Sequence, residues 1–241
     1  MSKKHVLIIG ASGAIGQQIV KDLSEKDYSF SLHYHKGIER LTHQLASLPK
    51  ESVFEVVQGD LSTPTGIASF IKQITFTPDA IVFAQGQASY GLLTDLTSQD
   101  MTALLSVHVE SLWRITQHFL PAMIKKRHGE IVVISSIWGE CGASYEVAYS
   151  TVKGAQIAFV KALAKEVGPS RVRVNAVTPG FIDTTMNQQL SNDERLGLLE
   201  DIPLGRLGEV RDVSHLVRFL LADESSYVTG EVMRVSGGWH I

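Results

Sequence analysis

Short apolar runs that alternate with helix-spaced segments constrain this chain more than any other feature. Val6-Leu7-Ile8-Ile9, Ala80-Ile81-Val82-Phe83-Ala84 and Ile131-Val132-Val133-Ile134 are too short for ordinary helices and show no polar alternation. A run of that kind reads as a strand buried on both faces, as in a parallel sheet covered by helices. Residues 53–58, 171–177 and 232–235 read as further strands, and another ends around Ser31-Leu32-His33-Tyr34-His35-Lys36. Segments 38–48, 64–74, 100–126 and 210–221 carry helical spacing. The alternation predicts an α/β fold, a seven-stranded parallel, doubly wound sheet flanked by helices. At 241 residues and 44% hydrophobic, the chain can bury one such core. No linker, repeat or low-complexity segment interrupts it, so residues 1–241 read as a single domain.

The first strand runs into Gly10-Ala11-Ser12-Gly13-Ala14-Ile15-Gly16 and an amphipathic stretch to about residue 26. Glycine lets the backbone approach a pyrophosphate closely, and a helix starting there points free N–H groups and its positive end at the anion. Strand before and helix after are the context of a Rossmann-type dinucleotide site formed by Gly10, Ser12, Gly13, Ala14, Ile15 and Gly16. At the end of the second strand no Asp or Glu awaits a ribose 2′-hydroxyl, whereas His35 and Lys36 suit a 2′-phosphate, so NADP(H) is expected over NAD(H). Asp60, followed by Leu61, reads as an acceptor for the adenine amino group or as a turn-forming aspartate. His33 and His35 alternate along a strand with no third ligand nearby, and no metal site is expected.

The chemistry gathers further on. Ser136 follows the run ending at Ile134, at the carboxyl end of a strand, where open α/β sheets place their sites. Tyr149 and Lys153 stand four residues apart, one helical turn, on a shared face. A neighbouring ammonium favours the phenolate and would bring a tyrosine down from its ordinary ~10 toward neutral pH. With Ser136 as a second donor, the three groups are suited to moving a proton at a substrate oxygen. Residues 183–208 are polar and poorly periodic around a short helical piece, the pattern of a substrate lid. The net charge of −3 argues against a nucleic-acid partner. Cys141, the single cysteine, has no base or metal partner in view and reads as a bystander. The apolar run near the N-terminus is too short for a signal segment or a membrane span, so a cytoplasmic protein is expected.

Taken together, the glycine turn, Asp60, Ser136, the Tyr149/Lys153 pair, Asn175, Pro179-Gly180 with Thr184, and Thr229-Gly230 resemble the short-chain dehydrogenase/reductase family from about Lys4 to the C-terminus. Within it, Met123-Ile124-Lys125-Lys126-Arg127-His128-Gly129 and Asn175-Ala176-Val177-Thr178-Pro179-Gly180 are similar to 3-oxoacyl carrier-protein reductases. Ser135-Ser136-Ile137-Trp138-Gly139-Glu140, Leu32-His33-Tyr34-His35 and Gly237-Gly238-Trp239-His240 look more like the group that reduces the 5-aminopentanone modification on elongation factor P. The resemblance implies NADPH-dependent reduction of a ketone carried on an acidic protein, either elongation factor P or an acyl carrier protein, by a homotetramer. It also implies roles: Tyr149 gives the proton, Ser136 hydrogen-bonds the same oxygen, and Lys153 acidifies the phenol and holds the nicotinamide ribose. Thr184 would hold the carboxamide, with Pro179, Gly180 and Ile182 beside it.

Departures from the family pattern sharpen the questions. Ile9 and Ala14 replace a threonine and a glycine of the turn. Phe83-Ala84-Gln85-Gly86 stands where the family has Asn-Asn-Ala-Gly, an apparent loss of an amide that ties the sheet's carboxyl edge. His108 aligns with the family's catalytic Asn and is expected to hold the water that links Lys153 to solvent, the rival reading being a role simply lost. These departures leave room for a non-catalytic NADP(H)-sensing protein. Glu140 reads as a partner for the ammonium of an aminopentanone at the mouth of the site, or as a surface carboxylate. Trp138 and Trp239 read as pocket wall or core filling. Lys125-Lys126-Arg127-His128 caps a helix C-terminus or docks an acidic carrier.

Overall fold

The computed structural model describes residues 3–184 and 192–240. Strands β1 (Lys4–Ile9), β2 (Tyr28–Tyr34), β3 (Val53–Gln58), β4 (Ala80–Phe83), β5 (Gly129–Ile134), β6 (Val172–Pro179) and β7 (Val232–Val235) form one sheet in the order β3-β2-β1-β4-β5-β6-β7. Every pairing in it is parallel. The helices are α1 (Ala14–Ser24), α2 (Ile38–Leu45), α3 (Pro64–Gln73), α4 (Ser98–Leu105), α5 (Ser111–Lys126), α6 (Trp138–Cys141), α7 (Val147–Val167), α8 (Asn192–Asp201) and α9 (Val210–Leu221).

Successive side chains of a strand point to opposite faces, which explains why the strand sequences are apolar without alternation. Leu7, Ile9, Ile81, Phe83, Ile131 and Val133 enter one core with Phe70 of α3, Phe119 of α5 and Val160 of α7. Their neighbours Val6, Ile8, Val82, Val132 and Ile134 enter the other, against Ile19 and Leu23 of α1 and Val213, Val217 and Leu220 of α9. Each such fully buried aliphatic or aromatic side chain contributes about 1.5–3 kcal/mol relative to exposure. On the α1/α9 side, buried Asp22 accepts a hydrogen bond from Ser214 Oγ, so the polar exception is paired.

The strand order reverses between β1 and β4, and in a doubly wound sheet the crevice at that switch point is where ligands bind. The helix expected over residues 100–126 is interrupted. It starts at Ser98 behind a capping box of Thr97 and Asp100, and Ser106–Glu110 between α4 and α5 is a π-turn that carries His108. Single-turn π insertions put an extra residue into the helix and re-aim the side chains around it, which is why they recur at functional sites. Part of the lid expected over 183–208 lies outside the described residues, while its helical piece is α8. No helix among the described residues is long and apolar enough to cross a membrane.

Candidate active site

The glycine turn closes against the end of β4. Gly10 has φ +84, and a Cβ there would lie 2.7 Å from the Gln85 Cα, while a Cβ at Gly16 would be driven into the Gly10 carbonyl oxygen. Gly13 is the N-cap of α1 and brings no side-chain cap, so the first-turn N–H groups stay available to an anion. His33, expected to be one of two polar groups on a sheet face, clamps the turn instead. Its Nδ1 accepts from the Gly10 N–H at 3.0 Å, and its Nε2 reaches the Gly59 carbonyl at 3.1 Å. An acceptor at Nδ1 requires the proton on Nε2, and burial lowers the ring's pKa to about 4, which keeps it neutral.

A cavity of about 980 Å³ opens beside this turn at the carboxyl ends of the strands. Gly13, Ala14 and Ile15 line it, as do Ser136, Tyr149 and Lys153, and Pro179, Gly180, Ile182 and Thr184 after β6. Gly10, Ser12 and Gly16 stand behind the wall as the frame of the turn. His35, Lys36, Asp60 and Leu61 do not line the cavity. Lys36 receives a hydrogen bond from Ser12 Oγ on its carbonyl, and Asp60 accepts from the Ser62 N–H and faces His35 at 3.8 Å, both half-exposed. Leu61 is core, its carbonyl held by Ser106 Oγ. A cation that sequence reasoning missed, Arg40 in the first turn of α2, does reach the wall. A basic residue just past Lys36-Gly37 was the available signal.

Ser136, Tyr149 and Lys153 are drawn together by β5 and α7. Ser135 Oγ donates to the Lys153 carbonyl at 2.9 Å and Lys153 Nζ donates back to the Ile134 carbonyl at 2.9 Å, pinning the helix to the strand end. The Trp138 N–H donates to Ser136 Oγ at 3.2 Å, and the serine hydroxyl in turn hydrogen-bonds the Tyr149 phenol. One expectation is corrected here. Lys153 does not acidify Tyr149: burial pushes the phenol's pKa up, Glu146 pushes it further, and the opposing influence is the Ser136 hydroxyl. The reason is geometric and electrostatic. Lys153 Nζ stands over the Tyr149 ring, 5.6 Å from its centroid, and complete burial lowers the ammonium's own pKa to about 7.

His108 is fully buried, and its ring stacks edge-on to Tyr149 at 5.8 Å. Nε2 meets the Gln87 backbone, Nδ1 is a buried polar atom without a partner, and burial followed by the Lys153 charge lowers its pKa to about 3. His108 and Lys153 both border Gly86 without bonding each other. The amide that seemed lost after β4 is supplied by Gln85, whose Nε2 ties the sheet edge to Val107 O and Ser111 Oγ in the π-turn and α5.

Trp138 and Trp239 both line the cavity and pack edge-to-face with centroids 5.0 Å apart. Glu140 is a second correction. It does not line the cavity; Arg234 of β7 holds its carboxylate at 2.7 Å. Among the described residues two carboxylates line the wall, the half-buried Glu146 and the exposed Asp201 at the end of α8, neither of them singled out from the sequence. The basic segment is largely spoken for: Lys126 pairs with Asp79, Arg127 donates to the Pro169 carbonyl and His128 faces Glu130.

Comparison with known proteins agrees with this architecture. A family model described as Enoyl-(Acyl carrier protein) reductase matches residues 10–240. The chain is 41% identical over 240 residues to the uncharacterized oxidoreductase YmfI of Bacillus subtilis, covering 98% of this chain and 99% of that one. It is 32% identical over 243 residues to the 3-oxoacyl-[acyl-carrier-protein] reductase FabG of Escherichia coli, covering 99% and 98%. Among solved structures, a 3-oxoacyl-[acyl-carrier protein] reductase from Brucella melitensis superimposes with a TM-score of 0.89 at 26% identity, covering 100% of this chain and 93% of that one. The chain belongs to the short-chain dehydrogenase/reductase family. More particularly, it is an oxidoreductase of CH–OH and C=O groups, related to the 3-oxoacyl-[acyl-carrier-protein] reductases.

Proposed function

We propose that this protein is an NADPH-dependent reductase of a protein-borne ketone, the 5-aminopentanone on elongation factor P, with Tyr149 as its proton donor. The observation that carries the reading is the convergence of Ser136, Tyr149 and Lys153 on the same cavity as the glycine turn and the uncapped end of α1. A cradle that any β-carbon would fill, set against free helix N–H groups, fits a dinucleotide pyrophosphate. Arg40, with His35 and Lys36 nearby in sequence and no acid at the end of β2, supports a 2′-phosphate there. When bound, the nicotinamide supplies a hydride.

The chain's own groups would do the rest. A phenol whose pKa is raised stays protonated at neutral pH, and a protonated donor suits reduction of a ketone, where an alkoxide must be quenched, better than the reverse reaction. Ser136, its lone pair engaged by the Trp138 N–H, would donate to the same oxygen. Lys153, anchored on Ile134, is placed to hold a ribose and replenish the proton. Neutral His108 beside it, with Nδ1 unpaired, would carry the path to solvent. A homotetramer is part of the reading, supported by the groove of Leu105, Trp113, Leu120 and Phe159 left open on α4, α5 and α7.

A second reading, reduction of 3-oxoacyl carrier-protein thioesters, is favoured by the FabG relatives. The deciding experiment supplies NADPH with an acetoacetyl thioester and, separately, with ketone-modified elongation factor P, and follows NADPH oxidation. Tyr149→Phe should abolish turnover by ~10²–10⁴-fold while NADPH still binds. Wild-type protein that binds NADPH but oxidises it with neither ketone would instead make the chain a dinucleotide sensor.

A further inference from the structure

We propose that Glu146 sets the substrate charge of this cavity, receiving the ammonium group of a cationic ketone against the rings of Trp138, Trp239 and Tyr90. The inference rests on the ketone-reductase reading above and adds to it the charge that the substrate carries.

Glu146 occupies the N-cap of α7, where a carboxylate ordinarily accepts from the first-turn N–H groups. Its side chain makes no cap bond there, although its backbone carbonyl does accept the Ser150 N–H. The carboxylate lines the cavity instead, with the Trp138 side chain as its hydrogen-bonding neighbour. Among the described residues no Lys, Arg or His forms an ion pair with it. Of the two cations on the cavity wall among the described residues, Lys153 is bound to the Ile134 carbonyl and Arg40 approaches Gly37. Half-burial without a counter-ion raises the Glu146 pKa, the Trp138 bond opposing it only in part. A carboxylate in that position disfavours a neutral occupant and gains from a cation.

The aromatic groups point to the same ligand. Trp138 and Trp239 pack edge-to-face on the wall, and Tyr90, also on the wall, is close enough for the Glu146 charge to raise its phenol further after burial. Aromatic rings lining the same cavity as a carboxylate are the chemistry that recognises an alkylammonium. Glu146 stands at the N-cap, one turn ahead of Tyr149 in sequence; both line the cavity, and the Glu146 charge is near enough to raise the Tyr149 phenol further after burial. Because both groups face one cavity, a single ligand can give its carbonyl to Tyr149 and its cation to Glu146. A neutral acyl thioester would leave the carboxylate unmatched.

The test offers the full chain, with NADPH, a matched pair of methyl ketones: one ending in a trimethylammonium group on a three-carbon chain, which cannot cyclise, and its neutral tert-butyl isostere. Wild type should favour the cation in kcat/KM, and Glu146→Gln should cut the charged-to-neutral ratio about tenfold, equivalent to about 1.4 kcal/mol, chiefly through KM. Glu146→Asp should keep the preference, and Glu140→Gln, whose partner is Arg234, should leave the ratio alone. Both ketones reduced with a ratio unmoved by Glu146→Gln would overturn the inference and leave the reductase reading standing. Failure of wild type to reduce either ketone would overturn the inference, and failure also with an acetoacetyl thioester and with ketone-modified elongation factor P would remove the reductase reading itself. Should Glu146→Gln not fold, tetramethylammonium decides: competitive inhibition of neutral-ketone reduction by wild type supports the proposal, and its absence overturns it.

Discussion

Replacing Lys153 by methionine takes away a cation that the fold holds at a cost. The ammonium is 3% exposed, and burial alone lowers its pKa from 10.5 to about 7. That difference of about 3.5 pH units corresponds to a ceiling of about 5 kcal/mol at 1.36 kcal/mol per unit, and apolar replacement of buried charges commonly returns about 1–4 kcal/mol. Lys153→Met is therefore expected to be more stable than wild type at pH 7 by about 1–4 kcal/mol, and inactive. The pH dependence follows from the sign of the shift. Between pH 7 and 10.5 the unfolded lysine binds a proton that the folded one has released, so wild-type stability rises with pH across that window. The advantage of the methionine variant should shrink by about 1.4 kcal/mol per pH unit between roughly pH 7.5 and 10. Urea unfolding of both proteins at half-unit pH steps, without cofactor, measures it. Parallel stability curves, or a methionine variant less stable at pH 7, would show that the lysine is not held under an electrostatic penalty.

Three further perturbations probe the dinucleotide end of the cavity. Gly16→Ala drives a methyl into the Gly10 carbonyl oxygen and should cost about 1–3 kcal/mol while weakening NADPH, read by thermal melting and by cofactor fluorescence. His33→Asn keeps an acceptor for the Gly10 N–H and leaves the Gly59 carbonyl unpaired, a loss of about 1–3 kcal/mol at neutral pH. Because the folded pKa of His33 is depressed to about 4, its contribution is present above pH 6.5 and lost as pH falls toward 4. The variant should accordingly lose stability less steeply over that range, by about 1.4 kcal/mol per unit, in urea titrations that leave the similarly shifted His108 in place. Arg40→Met should raise the KM for NADPH by about tenfold relative to NADH; unchanged discrimination would exclude Arg40 from the 2′-phosphate.

The parts of this protein that were legible in sequence are those governed by local rules. Strands 53–58 and 232–235 and helix 210–221 have the bounds that their apolar patterns suggest. The glycine turn and the Tyr149/Lys153 spacing needed only strand and helix geometry to land on one cavity. Where one signal stood in for a three-dimensional fact, the reading slipped. Glu140 and Glu146 flank the same loop, and nothing local distinguishes them. Arg234, 94 residues away, takes the first, and the turn into α7 leaves the second facing the cavity. Gln85 looked like a loss until the π-turn brought Val107 and Ser111 to it.

Sequence alone determined the order of strands and helices along the chain, the glycine turn and the three polar groups beside it, because backbone conformation and side-chain periodicity are properties of neighbouring residues. Tertiary structure alone decided the charge state of those groups and the partners they meet. A phenol is held protonated, a lysine is driven toward neutrality and one carboxylate is left without a cation, because desolvation and Coulomb interaction sum over segments far apart in the chain.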